Sequence, residues 1–133
     1  MQKKFTRSYD SLEQIFEFTE RLFSSRNVAE SLRFPVHFVM EELFTNMVKY
    51  SKDGQRPIRI SLDVSGGTLV VRISDVEVEP FDPTEAPDVD IDQSVEERPI
   101  GKLGLHLVRR LVDGIEYQYE NRTSTVILTK KLE

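Results

Sequence analysis

The sequence predicts a two-layer α+β sandwich, in which one antiparallel-rich mixed sheet carries helices on one face. Apolar residues recur at helical spacing in three segments and alternate with polar residues in four others. Along the chain these segments are ordered helix, helix, hairpin, long loop, helix, hairpin. The chain has 133 residues, a length that suits one core, so we expect residues 1–133 to form a single domain.

Two helices are expected near the start, after a short edge strand over residues 3–9. Asp10 or Ser11 can cap the first helix, and apolar residues then recur at helical spacing as far as residue 25. Pro35 suits the first position of the second helix, because proline lacks the N–H group that a helix start leaves unpaired.

A polar stripe on the second helix is the most informative pattern in the chain. Glu42, Asn46 and Lys49 stand at i, i+4 and i+7, so they share one face of the helix. The apolar residues Phe38 and Val39 lie on either side of this stripe. A carboxylate and an amide are costly to bury unless something satisfies them. The stripe is therefore either a binding site or simply the exposed side of the helix.

The remaining elements follow from alternation and from glycine. Strands are expected where apolar and polar residues alternate, over 58–64, 69–73, 115–120 and 125–132. Gly66 and Gly67 predict a hairpin turn between the first two, since glycine accepts positive φ. Asp75 stands at the end of the second strand. A third helix is expected to start near Gly101, and Gly114 can end it.

Charge is distributed unevenly along the chain. The 18 basic and 23 acidic residues give a net charge of -5, which argues against nucleic acid as the main partner, because phosphate backbones select basic surfaces. The segment from Asp75 to Glu97 holds 10 acidic residues and no Lys or Arg, so the rest of the chain carries +5. Residues 76–98 are therefore expected to form a long acidic loop, either a lid over a site or a solvated loop.

Several classes of protein are excluded or disfavoured by composition. The chain has no cysteine, which excludes disulfides and thiolate metal sites. The basic N-terminus is not followed by an apolar stretch, and no apolar run approaches the ~18 residues of a membrane span. We therefore expect a cytoplasmic protein with no membrane segment.

Four motifs in this order resemble a known superfamily. ELFTN at residues 42–46, followed by KYS at 49–51, is similar to the asparagine box of the GHKL ATPases, which include gyrase and the histidine kinases. PFDP at 80–83, RPIGKLGL at 98–105 and STV at 124–126 further resemble the small bacterial anti-sigma factor serine kinases. The resemblance implies the GHKL (Bergerat) fold of a histidine kinase-like ATPase domain.

The resemblance also implies a site for ATP and Mg²⁺. Glu42 would be the general base that accepts the proton of a serine hydroxyl, and Asn46 would ligate Mg²⁺. Asp75 would accept the adenine amino proton, with Thr125 close by. Other implied nucleotide contacts are Lys49 and Arg98 near the phosphates and, at the lid and helix start, Gly101, Leu103, Gly104 and Leu105.

The implied function is a partner switch. Such a protein sequesters a sigma factor and phosphorylates a serine on an anti-sigma factor antagonist of the STAS type, and the two acts exclude each other. A homodimer is implied by the resemblance alone.

Two departures from the family pattern keep a second hypothesis open. Family members usually have glycine two residues after the aspartate, where this chain has Glu77, and Lys102 occupies a usual glycine position of the second glycine box. Acids such as Glu77 and Glu79 would repel a polyanionic ligand. The alternative is therefore a non-catalytic binding module of the same fold, with weak or lost ATP binding. A third hypothesis is a structural domain whose motif matches are accidental.

Overall fold

The computed structural model of the protein describes residues 1–51, 54–80, 82–84 and 100–132, with only the backbone for residues 100–105. Its elements are, in chain order, β1 (Gln2–Phe5), α1 (Ser11–Ser25), α2 (Glu30–Tyr50), β2 (Ile58–Ser65), β3 (Thr68–Val76), α3 (Ile100–Leu111), β4 (Gly114–Glu120) and β5 (Thr123–Lys131). The predicted order of helices and strands is confirmed.

The five strands form one sheet in the order β1-β2-β3-β5-β4. Every described pairing is antiparallel, so this part of the sheet is more regular than the mixed sheet expected from the sequence. Two tight hairpins account for two of these pairings. Gly66 and Gly67 join β2 to β3, and Asn121 and Arg122 join β4 to β5, all four at positive φ as such turns require.

The core lies between one face of the sheet and the helices. Alternate residues of β2, β3 and β5 are buried there, namely Ile58, Ile60, Leu62, Leu69, Val71, Ile73, Val126 and Leu128. From α2, Val39, Leu43 and Phe44 are completely buried against them. Each such side chain contributes about 1.5–3 kcal/mol by leaving water. The two-layer α+β class predicted from the sequence is therefore confirmed.

Element boundaries differ most from the predictions at three places. Helix α2 begins at Glu30, so the expectation that Pro35 opens it is wrong; Arg33 extends the helix backwards, since its Nε donates to the carbonyl oxygen of Val28 (2.7 Å). Strand β1 ends at Phe5, because the hydroxyl of Ser11 and the N–H of Ser8 both bond to Thr6 and turn the chain.

Gly114 opens β4 instead of ending α3, which stops at Leu111. A Cβ at Gly114 would overlap the hydroxyl of Thr129 on the neighbouring strand. The glycine is thus needed for close cross-strand approach.

Candidate functional site

Helix α2 carries the polar stripe, and the structure gives its members different environments. The side chain of Asn46 is buried, with 6% of its surface exposed, Glu42 is half-buried and Lys49 is exposed. Leu43, on the adjoining face of the helix, is completely buried. The stripe is therefore not simply the solvent side of the helix, since a buried amide needs polar partners.

Asn46 is held by the segment that begins the acidic loop. Its Nδ2 donates to the carbonyl oxygen of Pro83 (3.0 Å). The next residue, Thr84, donates from its N–H and its hydroxyl to Oδ1 of Asp82 (2.8 and 2.6 Å), and Nη2 of Arg109 donates to the carbonyl oxygen of Thr84 (3.2 Å). Oδ1 of Asn46 accepts no hydrogen bond from the residues that the structure describes. That oxygen is available to a ligand.

Glu42 lies one helical turn before Asn46. Burial raises the pKa of the Glu42 carboxyl above its ordinary value, the neighbouring charge of Glu41 raises it further, and Lys49 partly offsets both effects. A carboxylate with a raised pKa is a stronger base, which suits proton transfer near neutral pH.

Asp75 is buried near the end of β3, and its partner is a residue that sequence reasoning missed. Only 1% of Asp75 is exposed, and both of its carboxylate oxygens accept from the guanidinium of Arg7, at 2.9 Å for Oδ1 and 2.7 Å for Oδ2. Arg7 lies in the turn between β1 and α1, 68 residues away in sequence. No local pattern connects the two residues, so only the fold brings them together.

Thr125 does not stand beside Asp75, and this part of the sequence prediction is corrected. Asp75 is paired across the ladder with Ser124, whereas Thr125 is paired with Ser74 on the opposite face of the sheet, where their hydroxyls lie 3.1 Å apart. Ser124 is buried and its hydroxyl bonds to that of Tyr117 (3.0 Å). Strand alternation could have shown this, since Ser124 stands two residues before the buried Val126.

Glu77 keeps the backbone conformation that a glycine would have. Its φ is +58°, in the left-handed region. Its carboxylate points to Arg56, whose Nε donates at 2.8 Å, and this exposed guanidinium lowers the pKa of Glu77. Glu79 makes a similar ion pair with Arg122 (2.9 Å). These acids face basic partners, which weakens the hypothesis that they repel a bound polyanion.

We expect Glu77→Gly to raise the thermal unfolding midpoint by about 2–4 °C, because glycine adopts positive φ without strain. The affinity for ATP should stay within about twofold, since the Glu77 carboxylate is engaged by Arg56. Glu77→Gln is the matched control, because it removes the charge and leaves the backbone strain. A glycine variant that melts below the glutamine variant, or that binds ATP much more tightly, would contradict this account.

The second glycine box forms the start of α3. Gly101, Leu103, Gly104 and Leu105 lie in its first two turns, where the leading backbone N–H groups have no partner within the helix and favour phosphate. Lys102 also lies inside α3, and a right-handed helical backbone suits lysine. Of the remaining predictions, Arg98, Phe81 and residues 85–97 of the expected lid lie outside the described residues.

The described residues do not form a metal centre by themselves. Among them there is no group of three or more His, Asp or Glu side chains that could hold a metal ion. Nor does any described helix combine the length and apolar character of a membrane-spanning segment.

Comparison with protein families places this geometry in context. The family model for the histidine kinase-like ATPase domain matches residues 5–130. The chain therefore belongs to the family of histidine kinase-like ATPase domains, as the GHKL resemblance predicted, and this excludes an accidental match of its motifs. No significant match to a curated protein was found.

Solved structures share the fold at low sequence identity. The crystal structure of the RsbU and RsbW domains of Rv1364c from Mycobacterium tuberculosis is similar with a TM-score of 0.70 and 13% identity, over 99% of this chain and 32% of that one. The blue-light activated histidine kinase EL346 of Erythrobacter litoralis gives 0.54 and 16%, over 79% and 32%. Histidine kinase AdeS of Acinetobacter baumannii gives 0.51 and 16%, over 100% and 68%. This chain spans about a third of the first two proteins.

Proposed function

We propose that this protein is an anti-sigma regulatory factor with serine kinase activity. It binds Mg-ATP, phosphorylates a serine on an anti-sigma factor antagonist of the STAS type, and sequesters a sigma factor when it is not engaged with that antagonist. The family supports an ATPase-type domain, and the motifs at 80–83 and 98–105 support the anti-sigma branch.

The observation that carries the proposal is the buried Asn46 amide with an available oxygen. Nδ2 is fixed by Pro83, so Oδ1 is the group left to ligate Mg²⁺. An amide oxygen is the hard ligand that Mg²⁺ prefers, and Mg²⁺ commonly takes its other ligands from phosphates and water. The single amide oxygen of Asn46 is therefore enough protein ligand for Mg²⁺, because phosphates and water supply the other oxygens.

Glu42 supplies the chemistry that a serine kinase needs from the protein. When bound, Mg-ATP supplies the phosphoryl group. The Glu42 carboxylate would accept the proton that the serine hydroxyl loses as its oxygen bonds to the γ-phosphorus, while the bond from that phosphorus to the bridging oxygen breaks and ADP leaves. The raised pKa of Glu42 makes it a better base for this transfer than an ordinary exposed carboxylate.

The part of the proposed site that binds adenine is formed by Asp75 and its neighbours. A buried carboxylate at a strand end can accept a hydrogen bond from the adenine amino group, and Ser124 lies directly across the ladder from Asp75. Lys49 and the start of α3, with Gly101, Leu103, Gly104 and Leu105, are the groups proposed for the phosphates, and the resemblance adds Arg98 to them.

The test is binding of Mg-ATP to the wild type and to Asn46→Ala, measured by calorimetry with and without Mg²⁺. We expect the variant to bind about 10- to 100-fold more weakly, because it loses one ligand to a charged group, and to lose its dependence on Mg²⁺. Gln14→Ala, which removes an exposed amide from α1, is the control and should bind as the wild type does. Tight binding that needs neither Mg²⁺ nor Asn46 would overturn the site.

A second candidate is a non-catalytic binding module of the same fold. The observation that favours it is that Arg7 covers the carboxylate of Asp75, which is only 1% exposed to solvent. This candidate predicts that the wild type binds Mg-ATP weakly or not at all and phosphorylates no antagonist. Tight Mg²⁺-dependent binding by the folded wild type would exclude it.

A further inference from the structure

The side chain of Arg7 occupies the space in front of Asp75. Its Nη1 and Nη2 both donate to the Asp75 carboxylate. Longer contacts join Nη2 to the carbonyl oxygens of Met47 and Ser51 (3.4 and 3.5 Å) and Nη1 to that of Arg56 (3.4 Å). The guanidinium thus lies between the end of α2, the following loop and the end of β3, and only 13% of the Arg7 side chain is exposed.

The contacts of Arg7 differ greatly in strength. The two bonds to Asp75 are short and charge-assisted, whereas those to the three carbonyl oxygens are long and weak. The end of α2 adds a diffuse attraction, since a helix C-terminus carries partial negative charge. Asp75 is therefore the group that holds Arg7 in place, and a competitor for Asp75 competes with Arg7.

A buried hydroxyl beside this ion pair has no hydrogen-bond partner among the residues that the structure describes. Ser51, whose carbonyl oxygen contacts Arg7, is 6% exposed, and its Oγ makes no hydrogen bond within the described part of the chain. An unpaired buried hydroxyl is costly. Beside the ion pair there is therefore a polar group that a ligand can satisfy and that the described residues leave unsatisfied.

The backbone on the other side of Arg7 is shaped to admit it. A Cβ on Gly54 would overlap Nη2 and Cζ of the guanidinium. The backbone at Arg7 is fixed by the turn at Thr6, where the hydroxyl of Ser11 donates to the carbonyl oxygen of Thr6 (2.7 Å). The guanidinium therefore occupies a space that the backbone at Gly54 leaves open.

We propose that Arg7 is a gate on the adenine-binding part of the nucleotide site: its guanidinium must leave Asp75 before an adenine amino group can bind there. Arg7 thereby sets the affinity for adenine nucleotides. This inference rests on the proposed function, because it takes Asp75 as the base-recognition carboxylate. It adds a residue from the N-terminal turn, which the resemblance does not assign to the site.

The expected effect follows from the population of the open form. If Asp75 is free of Arg7 in about 1–10% of molecules, the apparent affinity is reduced by that fraction. Arg7→Met keeps the apolar stem and removes the pairing group, so it should bind Mg-ADP about 10- to 100-fold more tightly than the wild type. The gain should appear although the variant has lost a positive charge near a polyanion.

A second variant tests the same displacement without changing charge. Gly54→Ala inserts a methyl group where the guanidinium lies, and Gly54 has no positive φ that would forbid alanine. It should also tighten Mg-ADP binding, by a smaller factor. It keeps the test possible if Arg7→Met folds poorly. The control is Arg56→Met, which removes an equal charge from an exposed ion pair with Glu77 and leaves Asp75 covered.

The experiment measures the dissociation constant of Mg-ADP for these four proteins by calorimetry, with folding checked by circular dichroism. Tighter binding by Arg7→Met and Gly54→Ala, with Arg56→Met unchanged or weaker, supports the gate. Equal or weaker binding by the first two, while the wild type binds, overturns the gate and leaves the proposed function standing. If none of the four binds Mg-ADP, the gate and the proposed nucleotide site both fail.

Discussion

Glu42→Gln is expected to reduce serine phosphorylation of a cognate antagonist by about 100- to 10,000-fold, the usual contribution of a positioned general base. Glutamine keeps the size and polarity of the side chain and cannot take up the proton. The affinity for Mg-ATP should change by less than about twofold, because the proposed magnesium ligand is Asn46. Single-turnover phosphorylation with labelled ATP, together with calorimetry, measures both quantities.

The raised pKa of Glu42 adds a second signature. A carboxyl whose pKa is higher in the folded than in the unfolded state stabilises the fold below its unfolded pKa, and this contribution is lost as the pH rises through the folded pKa. At neutral pH the ionised Glu42 therefore weakens the fold, and Glu42→Gln should unfold at the same or a higher temperature than the wild type. Loss of activity with no loss of stability is the expected combination.

Glu41→Gln is the matched control for this experiment. Glu41 is the exposed neighbour of Glu42 on α2, and it points about 100° away around the helix. Its replacement should leave most of the activity, and it should move the acidic limb of the rate profile to lower pH, because the charge of Glu41 raises the pKa of Glu42. If Glu41→Gln loses activity and Glu42→Gln retains it, the base has been assigned to the wrong residue.

The fold could be predicted because its signals are local. Alternation fixed the faces of β2 and β3, glycine marked one hairpin, and helical spacing marked α1 to the residue. Pro35 misled the prediction of α2, because proline is common at helix starts but is tolerated here at the sixth position of the helix. The bond from Arg33 to the carbonyl oxygen of Val28 outweighed this local preference.

The site could be predicted only in part, because half of it depends on distant contacts. Glu42 and Asn46 lie on one helix, so their spacing alone places them on a common face. Arg7 meets Asp75 only after β1, β2 and β3 have paired. The two-residue period of β5 already predicts that Ser124, and not Thr125, shares a face with the buried Val126. The conformation of Glu77 was not available, since φ does not follow from residue type.

Breaking the Arg7–Asp75 pair from either side is expected to produce the largest loss of stability at this site. Removing one member of a buried ion pair costs about 3–5 kcal/mol, because the other charge stays buried without a partner. Asp75 is the less exposed of the two, and Arg7 retains contacts with carbonyl oxygens when Asp75 is replaced. Arg7→Met should therefore lower the unfolding free energy more than Asp75→Asn does.

The double variant, Arg7→Met with Asp75→Asn, separates two roles for the pair. It leaves no buried charge, so it should be more stable than Arg7→Met alone, as measured by urea unfolding without nucleotide. A buried ion pair adds little net stability compared with neutral groups of similar shape. If the double variant is instead less stable than both single variants, the role of the pair is to stabilise the fold. The opposite result is that the double variant regains stability relative to Arg7→Met, while only Arg7→Met binds nucleotide more tightly. That result means that the pair serves to control the access of nucleotide to Asp75.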